Sequence, residues 1–217
     1  MLRRILSLLF PPKCVFCRRI LGREETDLCR NCRTHAPEFT KPKRNISFVA
    51  QWTAVWYYNN NVRKSILRYK FYNARSYALV YGRFLAMQLQ KQMADGYDIL
   101  SYVPISPLRR FLRGYDQVQL LADAVAKELG VPYVCTLKKI RHTRAQSGIR
   151  EESQRRANVI GAYRVIDPSF VSGKRILLLD DVITTGATVS ECAKTLLIQG
   201  AKEVRCAAIA AVQHDKK

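Results

Sequence analysis

The residues most able to do chemistry lie together late in the chain, in Arg175-Ile-Leu-Leu-Leu-Asp-Asp-Val-Ile-Thr-Thr-Gly-Ala-Thr188. An apolar strand runs into two adjacent carboxylates, Asp180 and Asp181, and then into a loop of small and hydroxylated residues that opens a helix. Such an order puts the acids at the C-terminal end of a sheet strand, where open α/β sheets bind ligands. Thr184, Thr185, Gly186, Ala187 and Thr188 would present backbone N–H groups at a helix N-terminus, whose dipole favours an anion. Gly186 lets the backbone approach closely. The loop suits a phosphate monoester. The carboxylates suit hydroxyls or a metal, and a cis-diol offers two donors to two adjacent acceptors. A helix cap alone would need one acid, not two.

A second constellation lies near the start. Cys14-x-x-Cys17 and Cys29-x-x-Cys32 are separated by eleven residues. Each pair can form a knuckle, and two knuckles close a tetrahedral four-sulfur site that selects Zn²⁺, with iron as the softer alternative. A module of this size needs such a staple. The closed ligand set reads as structural, rather than as a redox dithiol. His35 reads as a surface residue. Seven cysteines in all, three of them single (Cys135, Cys192, Cys206), do not make a secreted disulfide framework, and a reducing cytoplasm fits them best.

Lys and Arg number 37 against 17 Asp and Glu, a formal net charge of +20. A basic surface kept for solubility would scatter these charges. Here they cluster, which favours a polyanionic partner. Arg109, Arg110 and Arg113 follow one strand. Lys138-Lys-Ile-Arg-His-Thr-Arg and Arg155-Arg156-Ala-Asn158 make a second set. Trp52, Trp56, Tyr57 and Tyr58 could stack bases, but alternating strand aromatics are more often core.

The elements that must position these groups follow from periodicity. Ala50–Tyr58, Ile99–Val103, Gly161–Val165, Arg175–Leu179 and Val204–Val212 read as strands. Val62–Tyr69, Ser76–Met93, Gln117–Leu129 and Thr188–Ile198 read as helices. Residues 138–158 read as a long mobile loop with at most a helical turn. Alternating strands and helices with continuous apolar runs imply an α/β fold, a mostly parallel sheet covered on both faces. Residues 1–45 form the cysteine module, 41–45 its linker, and 46–217 the body. Met1–Phe10 reads as a short amphipathic helix rather than a signal peptide, since its apolar run is short and no cleavage site follows. No run is long enough to span a membrane, so any membrane association would be peripheral.

The stretch from Asp180 to Thr188 resembles the signature of the type I phosphoribosyltransferases. That resemblance implies their fold and their ligand, phosphoribosyl pyrophosphate with Mg²⁺. It implies that Asp180 and Asp181 hold the ribose hydroxyls and that Thr184–Thr188 hold the 5′-phosphate. Arg109 and Arg113 would sit where pyrophosphate binds, and the 138–158 loop would close over the ligand. Over nearly the whole chain the resemblance is to the ComF family of bacteria (ComFC- and GntX-like proteins). It is carried by the cysteine module, Tyr69-Lys70-Phe71, Arg113 to Gln117, Thr143-x-x-Gln146, Arg156-x-Asn158 and the phosphate loop. It departs at Asp116, where the family more often has Asn; that exchanges an amide donor for a negative charge near the pyrophosphate position. The family implies a role in DNA uptake during natural transformation, with single-stranded DNA and competence-machinery proteins as partners. Two further readings stand beside it: a metabolic transferase moving phosphoribosyl to a base or amine, and a sensor that binds the ligand without turnover. No residue reads as a general base.

Overall fold

The structure is a computed structural model that describes residues 11–93, 96–141, 143 and 152–213. Its centre is a parallel sheet of four strands: β1 (Gln51–Tyr57), β2 (Ile99–Tyr102), β5 (Arg175–Ile183) and β6 (Glu203–Ala211). The order is β1-β6-β5-β2. Register is continuous, with Gln51 opposite Arg205, Leu177 opposite Arg205 and Ile99 opposite Ile176. A smaller antiparallel pair joins β3 (Leu137–Lys139) to β4 (Tyr163–Val165).

Parallel strands are covered on both faces, so their sequences are apolar throughout rather than alternating. Arg175-Ile-Leu-Leu-Leu shows why. Leu177 and Leu179 belong to one core, and Ile176 and Leu178 to the other, as the two-residue strand period demands. Helices α2 (Asn60–Phe71), α3 (Tyr77–Gln92) and α5 (Gln117–Leu129) cover the first face; α7 (Ala187–Ile198) covers the second. α3 and α5 approach closely because Gly82 has no side chain: a Cβ there would come within 2.6 Å of Ala124 Cβ.

The cysteine module docks on the first face. Its short helix α1 (Arg30–Thr34) is capped by Cys29 and carries Cys32, so it is part of the second knuckle. Phe16 meets Trp56 edge-on, with ring centroids 5.0 Å apart. The Ser65 hydroxyl donates to Val15 O at 2.5 Å, and the Arg68 guanidinium to Val15 O and Phe16 O at 2.7 and 2.6 Å. Trp52 and Trp56 are buried, so these aromatics are core and not a stacking platform.

Several elements differ from what periodicity implies. β5 runs on to Ile183, so Asp180 and Asp181 lie inside the strand rather than after it. β4 leaves the main sheet and pairs with β3, since three residues with a buried-exposed-buried pattern need only one partner strand. Arg109, Arg110 and Arg113, to which the periodicity assigned no element, sit on a helix, α4 (Pro107–Arg113). Ser106 caps it by accepting from the Arg109 N–H, and Pro107 opens it. The 138–158 stretch begins in β3 and ends in helix α6 (Glu152–Val159). Its middle, including Gln146, lies outside the described residues, as does Met1–Phe10.

Candidate functional site

At the end of β5 the strand period turns the two carboxylates to opposite faces. Asp181 points to the α2 and α5 side. Its Oδ1 accepts from Lys70 Nζ at 2.7 Å and its Oδ2 from Gln117 Nε2 at 2.7 Å. Burial pushes this carboxyl up, but Lys70, Gln117 and Arg113 outweigh burial and hold it below the usual carboxylate range. Asp180 points to the α7 and β3 side, where Lys139, Cys192 and Cys206 feel its charge. Its Oδ1 accepts the Asp181 N–H at 2.7 Å. Burial, and then the neighbouring charge of Asp181, push it up to about 8. Two adjacent acids thus take opposite roles: one is locked in an ion pair, the other held short of charge.

Sequence reasoning did not place Lys70 or Gln117 in this site, although both fall in segments it singled out. Tyr69 and Tyr115 interlock those segments. The Tyr69 hydroxyl donates to Gln117 O at 2.5 Å, and the Tyr115 hydroxyl donates to Tyr69 O. The last turn of α2 and the first of α5 are thereby fixed to each other, and their side chains meet at Asp181. The signal that could have found Lys70 is a cation next to the buried Tyr69 in the last turn of an amphipathic helix, with a second cation, Arg68, on the other side of that tyrosine.

Arg113 lies on the Asp181 side. It donates to Gln117 Oε1 at 2.6 Å, and its guanidinium stands 4.8 Å over the Phe71 ring. Arg109 reaches the other way, donating to Thr143 O at 2.8 Å. Beside it is Lys139, whose Nζ donates to the Tyr163 hydroxyl at 3.1 Å; burial, then Arg109, lower this ammonium to about 8. Asp116, the departure from the resemblance, is a buried helix cap. Its Oδ1 accepts from the Val118 and Gln119 N–H groups and its Oδ2 from the Ile105 N–H. Two acceptor oxygens meet three donors, so a carboxylate serves this position better than an amide, whose NH₂ would face a donor.

The loop after β5 is held from outside. Arg44 donates to Thr184 O, Trp52 Nε1 holds Arg44 O at 3.0 Å, and Thr185 Oγ1 accepts the Ala187 N–H at 3.4 Å. Gly186 has φ 79°, and a Cβ on it would come within 2.9 Å of Ile46. Glycine is required on both counts. Gly186 caps α7 without a side chain, and Ala187 and Thr188 open its first turn. Thr184, Thr185 and Gly186 therefore form the turn from the end of β5 into α7, next to a groove of about 480 Å³ bordered by Arg44, Phe48, Arg156 and Lys194.

The sulfurs of Cys14, Cys17, Cys29 and Cys32 all lie within 4.8 Å of one another, and Cys17 and Cys29 are 3.7 Å apart. Four sulfurs about 2.3 Å from one ion would be about 3.8 Å apart, so the set fits a tetrahedral metal. Burial raises the Cys29 thiol, but the Cys32 N–H and Arg19 outweigh it and bring it down to about 6, ready to bind as thiolate. Among the described residues this is the one such group, and no helix is long and apolar enough to cross a membrane.

Comparison with known proteins agrees with both halves of this geometry. A family model described as phosphoribosyl transferase domain matches residues 119–217, and one described as double zinc ribbon domain matches residues 5–43. Competence protein ComFC of Streptococcus pneumoniae is 33% identical over 70% of this chain and 64% of its own length. Competence protein F of Haemophilus influenzae is 33% identical over 48% of this chain and 45% of its own. The DNA utilization protein YhgH of Salmonella typhimurium is 29% identical over 88% of this chain and 87% of its own. The matched stretch thus spans less than two thirds of the two competence proteins. The zinc ribbon, the parallel sheet and the matched transferase domain converge: the chain joins a phosphoribosyl transferase domain to an N-terminal four-cysteine zinc ribbon, and it is similar over most of its length to the ComFC and YhgH proteins.

Proposed function

We propose that this protein binds phosphoribosyl pyrophosphate with Mg²⁺ across the end of β5, and that it acts in bacterial DNA uptake and utilisation with single-stranded DNA as its polymer partner. The observation that carries the ligand reading is the asymmetric acid pair beside the N-terminus of α7. Asp181 is ion-paired to Lys70, and Asp180 is pushed up to about 8 by burial and then by the charge of Asp181. Asp180 accepts ribose hydroxyls, the Thr184–Thr188 turn receives the 5′-phosphate, and Arg109 and Arg113 face the pyrophosphate. Asp181, Lys70 and Gln117 fix the strand end from behind. Hard oxygen donors suit Mg²⁺, which neutralises the pyrophosphate it accompanies. The zinc ribbon (residues 1–45) is structural, and the body (46–217) holds the ligand. The names of the relatives support the DNA role, as do a charge of +20 and thiols suited to a reducing cytoplasm.

One observation favours a metabolic transferase instead. Lys139, lowered to about 8 next to Asp180, is able to take a proton from an amine or base acceptor near neutrality. Titration calorimetry of the zinc-loaded protein with phosphoribosyl pyrophosphate and Mg²⁺, followed by a pyrophosphate-release assay against pooled bases, amines and single-stranded DNA, decides between the two. Binding that disappears in an Asp180→Asn, Asp181→Asn variant is expected. Release dependent on one acceptor makes this an enzyme. Binding without release makes it a ligand-gated DNA protein, and no binding at all sinks the ligand reading.

A further inference from the structure

α4 is unusual in that none of its seven residues is buried. It nonetheless carries large apolar side chains: Phe111 is 83% exposed. Short helices in water are marginal and are normally held by packing an apolar face. This one is held by its Ser106 cap and by Gly114, left-handed at φ 73°. The end of α2 presents Phe71 and Tyr72, 60% and 75% exposed. Phe71 follows Lys70, the partner of Asp181, and its ring lies under Arg113 of α4, so the two helix ends that carry the three exposed rings meet beside the acid pair.

Arginines stand among these rings. Arg113 lies over Phe71 at 4.8 Å, and Arg75, which donates to Gly114 O at 3.4 Å, lies 4.8 Å over Tyr115, a buried ring beneath the strip. Arg110 stands exposed next to Phe111. No Asp or Glu occurs between Glu38 and Asp95, nor between Asp98 and Asp116, so the strip is free of carboxylates from its own segments. Flat rings among guanidinium forks match a polymer of flat bases on a polyanionic backbone. An anionic bilayer would meet the charge, but a single seven-residue helix offers little depth of apolar face for it.

We propose that Phe71, Tyr72 and Phe111, with Arg75, Arg110 and Arg113, form a track on which unpaired bases of a single-stranded nucleic acid stack. The track leads to the acid pair at the end of β5. This deepens the single-strand reading above and rests on it. Arg113 belongs to both surfaces, so occupancy of the ligand site and of the track are coupled through it.

The test uses the full-length, zinc-loaded protein and a fluorescent oligo(dT) of about 20 nucleotides. Phe111→Ala and Tyr72→Ala each weaken binding roughly ten- to a hundredfold, because stacking is lost base by base. Arg110→Ala lowers the salt slope by about one. Met87→Ala, exposed on α3, a helix that carries none of the six track residues, leaves binding unchanged. Photo-crosslinking with an iodouracil-substituted oligonucleotide places adducts on Tyr72 or Phe111, a readout that loss of folding cannot mimic. If the unaltered protein binds the oligonucleotide and both aromatic variants bind as well, the track is wrong while the single-strand reading stands. If the unaltered protein binds no oligonucleotide, both fall. Cosedimentation with phosphatidylserine vesicles that is lost in Phe111→Ala, without oligonucleotide binding, would assign the strip to a membrane and overturn the proposal.

Discussion

At the residue scale, the pair Asp180–Asp181 separates two tasks that look identical in one-letter code. Period two along β5 sends the second acid to an ion pair and leaves the first buried near its neighbour's charge. That placement has a cost readable as pH dependence. Asp180 has a folded pKa near 8 against an ordinary 3.8. Between those values the folded protein binds more protons than the unfolded one, so this residue makes stability fall as pH rises from about 4 to about 8. Asp180→Asn keeps an oxygen for the Asp181 N–H and removes the titration. We expect it to raise stability at pH 8 by roughly 1–3 kcal/mol, to flatten the pH profile of urea unfolding, and to abolish binding of phosphoribosyl pyrophosphate. An unchanged pH profile would show that Asp180 is already ionised at neutral pH. Lys70→Met works in the opposite sense. It leaves Asp181 without its cation and costs up to about 3 kcal/mol, since the pair is largely but not wholly buried; chemical denaturation measures the loss.

At the element scale, what could be read from the sequence and what could not divide by distance along the chain. The strand, acids, turn and helix from Arg175 to Ile198 are contiguous, so each signal reinforced the next, and only the end of β5 was misjudged. The cysteine knuckles were equally local. Lys70 and Gln117 escaped because they meet Asp181 from 111 and 64 residues away, through helices that locally look like ordinary amphipathic elements. α4 escaped for a different reason: with nothing buried it has no periodic face to detect. β4 lies within the strand expected at Gly161–Val165, but its partner β3 escaped because a three-residue strand falls below the length at which alternation means anything. Two elements yield direct tests. Gly186→Ala forces a Cβ into Ile46 at a positive φ, so a loss of about 1–2 kcal/mol and of ligand binding together is expected, by thermal denaturation and calorimetry. Removing zinc with a chelator should release residues 14–32 from Trp56, because the Phe16–Trp56 contact and the Val15 and Phe16 carbonyl anchors depend on the knuckles. Tryptophan emission should shift to the red while most helical circular dichroism persists. Emission that stays put after zinc has left would mean packing alone holds the module.

At the scale of the whole molecule, the sheet order β1-β6-β5-β2 places β6, the last of the described strands, between the first strand and the one that carries the acids. A ribosome delivers β1 and β2 well before Glu203–Ala211, and β5 only α7 and its flanking turns earlier. Until then β5 has β2 on one side and an open edge on the other, and β1 has no sheet to join. β5 therefore stays half-paired until β6 arrives, an invitation to wrong partners in a crowded cell. The chain must come back to the middle of a sheet it has already begun, so the acid-bearing strand is enclosed on both edges only when β6 pairs.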